Sequence, residues 1–124
     1  MRLFDFLFGS SNLTKRHRNE LLVRQLSNIA KIKAILKKGT YKGVLDFLIL
    51  IKNDLEALIL CEHQKTDPIN HKEAVDLMYI KTRIPHVIVN IEKALKGIAI
   101  KSTITGDIAE IEQELSKVIA AYYN

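Results

Sequence analysis

A chain of 124 residues fits a single domain, and a domain of this length buries a sizeable core without metal ions or disulfide bonds. Its only cysteine, Cys61, excludes an internal disulfide and favours a reducing, cytoplasmic location. Apolar residues make up 48% of the chain, but no apolar run reaches the roughly 20 residues of a membrane-spanning helix. The formal net charge of +5 is compatible with an anionic partner.

The chain opens with an apolar segment, Leu3 to Phe8, which is interrupted by Asp5 and is too short for a signal peptide. We expect this part of the chain, residues 1–10, to form a short extra helix in a groove of the domain. Contact of this segment with a membrane surface is not expected, because an in-plane anchor needs more helical turns than the segment provides.

The first long helix is predicted over residues 13–38, where apolar residues recur every three or four positions along one face. Asn12 or Thr14 can cap its start, and Gly39 follows two lysines at its end.

The second helix is predicted over residues 41–65, with Thr40 as its N-cap. Leu48 and Ile51 belong to one apolar face, but Phe47 and several leucines and isoleucines lie around the rest of the cylinder. A helix that is apolar on all sides is either central in its domain or pairs with another chain.

The third helix is predicted over residues 68–101, because Asp67–Pro68 supplies an N-cap followed by proline at the first helical position. Apolar residues continue in steps of three and four from Leu77 to Ile98, without a change of register at Pro85. A loop at the proline would usually break that register, so the pattern predicts one helix with a kink at Pro85.

The fourth helix is predicted over residues 106–122, where Asp107 and Glu110 have the spacing of a capping box. Four long helices with short connections favour antiparallel neighbours. The sequence therefore predicts an all-α domain over residues 1–124, built as an antiparallel up-down four-helix bundle with the extra N-terminal helix.

The first helix is strongly basic. Between Lys15 and Lys42 the chain has nine Lys or Arg residues and one acid. Arg24, Lys31 and Lys38 are seven residues apart and form a strip about 21 Å long opposite the apolar face, with Arg16 close to it. This basic strip could attract the phosphates of a nucleic acid, or the helix could pack beside the acidic fourth helix.

Metal and enzyme signatures are missing from the sequence. Cys61, His63 and His71 straddle the second connection, but their spacing matches no standard zinc signature. We expect Cys61 to fill the interior of the bundle and the histidines to lie on a polar loop. Phosphate-binding loops, metalloprotease motifs and nucleophile elbows are also missing, so no catalytic residue, metal or cofactor is expected.

The leading hypothesis is a non-catalytic protein-binding or assembly module that acts through apolar helix faces, with a homodimer as the expected assembly. The protein-interface candidates are Leu3, Phe4, Leu7, Phe8, Phe47, Ile49, Leu50, Leu60, Tyr122 and Tyr123. The alternative is a basic nucleic-acid-binding protein that uses the first helix. The anion-binding candidates are Arg16, Arg24, Lys31 and Lys38.

Overall fold

The computed structural model describes residues 13–98 and 101–124, and within these residues it confirms the predicted all-α fold class. Its four helices are α1 (Lys15–Lys37), α2 (Val44–Leu60), α3 (His71–Leu95) and α4 (Lys101–Tyr122), with a 3-10 turn at Cys61–His63 after α2. Both α1 and α3 pack against α2 and α4. The extra N-terminal helix was predicted over residues that lie outside the described ranges.

One apolar core joins the four helices. The apolar residues that recur every three or four positions bring one face of each helix to the centre. The buried face of α2, Val44 to Leu58, is the one that its register indicates. Isoleucine and leucine fill most of this core. Among the described residues, no helix is long and apolar enough to cross a bilayer.

The first two helices begin differently from each other. Thr14 caps α1 as expected, because its hydroxyl accepts a hydrogen bond from the backbone N–H of His17 at 3.2 Å. The prediction that Thr40 caps α2 is wrong. The Thr40 hydroxyl instead accepts from the backbone N–H of Lys42 at 3.2 Å, and the N-cap is Gly43 in the left-handed conformation with φ of +86°.

The third helix begins three residues later than predicted. Its N-cap is Asn70, whose side chain accepts from the backbone N–H of Glu73 at 2.8 Å. Asp67–Pro68 does not cap it, because Asp67 adopts a φ of +52° and its carboxylate accepts from the backbone N–H of Lys15 at 2.9 Å. The helix continues through Pro85, as the apolar register across the proline predicts.

The end of α3 lies six residues before the predicted end at Lys101. Gly97 follows the helix with a φ of +89°. Its backbone N–H donates to the Ala94 carbonyl at 3.0 Å, and the N–H of Ile98 donates to the Lys93 carbonyl at 3.1 Å. These two bonds form a Schellman motif, which ends a helix at glycine and satisfies its last carbonyls.

The last helix begins before its predicted start, so Asp107 lies inside α4 and does not open a capping box there. Ile104, which lies before the predicted start at residue 106, is fully buried and continues the register of Ile108 and Ile111. Burial of an isoleucine contributes about 2 kcal/mol. That gain exceeds the cost of about 1 kcal/mol for Gly106 within a helix.

Candidate interaction surface

Exposed apolar side chains are concentrated on α2 and α3. Among the described residues, ten large hydrophobic side chains are exposed, and eight of them belong to these two helices. They are Ile49, Leu50 and Leu60 on α2, and Val75, Met78, Tyr79, Val89 and Leu95 on α3. Leu95 lies at the C-terminal end of α3, in register with the buried Leu77 and Ile84. We refer to the other seven residues as the α2–α3 face.

The exposure of α2 follows from its composition. Leu48, Ile51 and Leu55 fill the core side of this helix, and its flanks pack on α1 and α3. Because the helix is apolar all round, Ile49 and Leu50 remain on the outside, where they are 48% and 50% exposed. Four interface candidates predicted near the start of the chain lie outside the described residues: Leu3, Phe4, Leu7 and Phe8.

A shallow groove runs between α2 and α3 on this face. Ile59, Leu60 and Met78 supply its apolar lining, and Glu56 and Lys81 lie beside them. The Lys81 ammonium is 3.4 Å from the Glu56 carboxylate. The groove therefore combines apolar contact area with a fixed pair of opposite charges at its rim, which is the usual composition of a protein-binding surface.

Three other interface candidates take part in contacts within the fold. The ring of Phe47 is half-buried, with the Lys31 ammonium 5.7 Å from its centroid. The hydroxyl of Tyr122 donates to the Asp76 carboxylate at 2.7 Å, and this bond raises the pKa of Tyr122 to about 12. The hydroxyl of Tyr123 enters a buried polar cluster.

The basic strip of α1 is divided by the fold. Arg24 donates to the Asp54 carboxylate of α2 at 2.8 Å, and Lys31 lies over the Phe47 ring of the same helix. Lys38, at the far end of the strip, is exposed and has neither an ion pair nor a ring contact with a described residue. The three cations therefore do not form one free row.

Other basic residues of α1 also pair with acids. Arg16 bonds Glu20 on its own helix at 3.2 Å. The Lys33 ammonium is 3.0 Å from the Glu112 carboxylate of α4. This second contact supports the interpretation that the basic helix packs beside the acidic one.

A buried polar cluster joins the start of α1, the start of α3 and the end of the chain. Arg18 and Glu73 are only 3% and 5% exposed. The Arg18 guanidinium donates to the backbone carbonyls of Leu13 and Asp67 at 2.7 and 2.8 Å, and to the Tyr123 hydroxyl at 3.3 Å. That hydroxyl donates in turn to the Glu73 carboxylate. We refer to Arg18, Glu73 and Tyr123 as the clasp.

Burial controls the titration of the clasp. It raises the pKa of Glu73, while the hydrogen bond from Tyr123 and the charge of Arg18 act in the opposite direction. Burial and the bond to Glu73 also raise the pKa of Tyr123. The polar atoms of the clasp bond one another, which is the ordinary way to satisfy charged groups inside a protein.

The residues considered as metal ligands do not converge. Cys61 is fully buried, donates its thiol to the Ala57 carbonyl at 3.4 Å, and has its pKa raised by burial to about 11. His71 lies 2.7 Å from a carboxylate oxygen of Glu62, and His63 is exposed. Within residues 13–98 and 101–124, no group of three such side chains could hold a metal ion.

Sequence reasoning missed two features of the molecule. Val75, Met78 and Val89 share an outward side of α3, and their spacing of three and eleven residues is a helical signal that could have shown this second apolar strip. The clasp has no such signal, because nothing local marks Arg18 as a buried arginine. No protein-family model, curated protein or solved structure matches this chain.

Proposed function

We propose that this chain is a non-catalytic protein-binding or assembly module that acts through the α2–α3 face, and that its first partner is a second copy of itself. The observation that carries the proposal is the concentration of exposed apolar side chains on two adjacent helices. A concentration of exposed apolar side chains commonly marks a protein–protein contact.

A two-fold homodimer would bury this face without any other chain. In such a dimer the same patch serves both subunits, so Ile49 and Leu50 would approach their own copies or each other. The Glu56–Lys81 pair at the groove rim would help to set the relative orientation of the two subunits, because its charges favour arrangements that place opposite charges together.

Sedimentation of wild type and two matched variants tests this proposal. We expect wild type to have the mass of two chains at tens of micromolar, and Ile49→Asp to have the mass of one. Val23→Asp is the control, because Val23 is 50% exposed on α1, away from the α2–α3 face. It should remain dimeric.

Circular dichroism should show both variants folded, since substitutions at half-exposed sites change stability by about 1 kcal/mol or less. Wild type with the mass of one chain would contradict the homodimer. Equal loss of mass in both variants would contradict the location of the interface.

Nucleic-acid binding through α1 is the alternative proposal, and it has weaker support. The surplus of Lys and Arg on this helix favours it, whereas the engagement of Arg24 with Asp54 and of Lys31 with Phe47 weighs against it. Salt separates the two proposals, because phosphate binding weakens steeply as salt is raised and apolar association does not.

For the architecture we propose the antiparallel up-down arrangement with a bend in α3 at Pro85. Short connections and the packing of α1 and α3 on both other helices support the arrangement. The bend is supported by the chemistry of proline, which has no N–H to donate to the Lys81 carbonyl one turn earlier. The single cysteine supports a cytoplasmic location.

A further inference from the structure

Two short parts of the sequence together account for the whole net charge of the chain. Residues 31–46 and 92–107 together contain eight lysines and three acids, which gives +5, the formal net charge of the whole chain. The remaining 11 Lys or Arg residues and 11 acids cancel. The first part contains the end of α1 and the start of α2, and the second contains the end of α3 and the start of α4.

The fold brings these parts to one end of the molecule. Leu95, the last residue of α3, lines a pocket with Tyr41 and Leu45, so the end of α3 lies beside the α1–α2 connection. Leu36 of α1 lines another pocket with Ile108 of α4, so these two helices also meet there. We refer to this region as the basic end.

Five lysines of the basic end are exposed, and none of them forms an ion pair with another described residue. They are Lys37, Lys38, Lys42, Lys93 and Lys96. Elsewhere on the surface several cations are paired, such as Arg24 with Asp54 and Lys81 with Glu56. The basic end therefore carries a group of five exposed lysines without a described ion pair.

Two apolar side chains stand out among these lysines. Leu95 is 59% exposed and Ile98 is 51% exposed. Leu95 directly precedes Lys96, and Ile98 follows Lys96 after the glycine of the Schellman motif, Gly97. With this arrangement, the ammonium groups can contact anions while the apolar side chains contact an apolar phase.

We propose that the basic end binds the surface of a membrane that contains anionic phospholipids, with Leu95 and Ile98 seated among the headgroups. Lysine is a compact point charge that neutralises phosphates without reading a particular geometry. A lipid surface uses the ammonium groups and the apolar tips together. A nucleic-acid backbone would leave Leu95 and Ile98 in water, and Tyr41, the aromatic residue in the pocket there, is half-buried and poorly placed for base stacking.

Co-sedimentation with vesicles is the first test. Wild type should sediment with vesicles of phosphatidylcholine and phosphatidylglycerol, but not with vesicles of phosphatidylcholine alone. Binding should fall as salt is raised from about 50 to about 200 mM, because screening shortens the range of the attraction. Equal binding to both kinds of vesicle, or binding to neither, would overturn the proposal.

Two triple variants locate the site. Changing Lys38, Lys42 and Lys96 to Gln should lower partitioning by about 100-fold, since each lysine near an anionic surface contributes about fivefold. The control changes Lys15, Lys65 and Lys72 to Gln, which removes the same charge close to the start of α1 and the α2–α3 connection. It should bind within a few-fold of wild type, whereas equal losses would show an effect of net charge alone and overturn the site.

A further pair of variants separates lipid from nucleic acid. Leu95→Ser should weaken vesicle binding several-fold, while Val23→Ser, which changes a half-exposed side chain of α1 outside both the basic end and the α2–α3 face, should not. Short duplex DNA, measured in parallel, should bind far more weakly than the vesicles. Tight DNA binding that depends on the same lysines but not on Leu95 would assign the basic end to nucleic acid and overturn the lipid proposal.

Discussion

The clasp offers the sharpest test of how this fold is held together. Tyr123→Phe removes one hydroxyl and leaves the ring in place. That hydroxyl donates to the Glu73 carboxylate and accepts from the Arg18 guanidinium at 3.3 Å. Both charged groups are nearly inaccessible, at 5% and 3% exposure, so water cannot readily replace the lost bonds.

The expected loss of stability is about 2 kcal/mol, because a buried charged group left short of a partner costs between about 1 and 3 kcal/mol. For a chain of this length, that loss should lower the melting temperature by about 6 to 10 °C. Arg18 limits the loss, because its two bonds to the Leu13 and Asp67 carbonyls do not involve the hydroxyl.

The loss should also depend on pH. The pKa of Glu73 is raised in the folded state, so its contribution to stability is fully present below the unfolded pKa and is lost as pH rises through the folded pKa. The Tyr123 hydroxyl bond acts to lower the pKa of Glu73. Its removal raises that pKa further, so Tyr123→Phe should cost more at neutral pH than in acid.

Urea unfolding followed by circular dichroism at about pH 7 and about pH 4 measures both effects. Tyr122→Phe is the control, because its hydroxyl bonds Asp76 at a more accessible site, and it should lose clearly less. A loss below about 0.5 kcal/mol for Tyr123→Phe, equal to that of an ordinary surface change, would refute the role of the clasp. A loss that does not vary with pH would refute the assignment to Glu73.

Two further predictions concern backbone and thiol. Gly97→Ala should lower the free energy of unfolding by about 1 kcal/mol, because a φ of +89° is strained for alanine. Gly106→Ala, inside α4 and with no atom within 4 Å of the new carbon, should raise it by about as much. Urea unfolding measures both changes, and two changes of the same sign would contradict this prediction. Cys61 should react with iodoacetamide only when the chain unfolds, since it is fully buried and its pKa is raised to about 11. Mass spectrometry measures the alkylation, and rapid alkylation of the native protein would contradict this prediction.

The helices and their core faces could be predicted because apolar periodicity acts along the whole length of an element. The register through Pro85 is one example, since many buried contacts outweigh one missing hydrogen bond. Helix ends depend on single hydrogen bonds with several competitors. Thr40 and Asp67 both have the chemistry of an N-cap, but each bonds another backbone N–H, and Gly43 and Asn70 cap the helices.

The interface candidates also divide into features that the sequence could predict and features that it could not. The exposure of Ile49 and Leu50 could be predicted, because a helix that is apolar all round cannot bury every side. The hydroxyls of Tyr122 and Tyr123 could not be assigned from the sequence, because their partners Asp76 and Glu73 are 46 and 50 residues away. An aromatic pair near the end of a chain is equally compatible with an open surface and with a buried bond.

Charge shows why a pattern on one helix is a poor guide to the electrostatics of a fold. Arg24 and Lys31 form a strip with Lys38 by sequence spacing, yet α2 brings a carboxylate to the first and an aromatic ring to the second. The positive charge at the basic end has another origin. It adds Lys38 of the first helix to Lys42 of the connection and Lys96 beyond the third helix, which only the folded chain brings together. Because fields from separate segments sum in space, a positive surface can form at the end of a bundle from lysines that no single helix supplies.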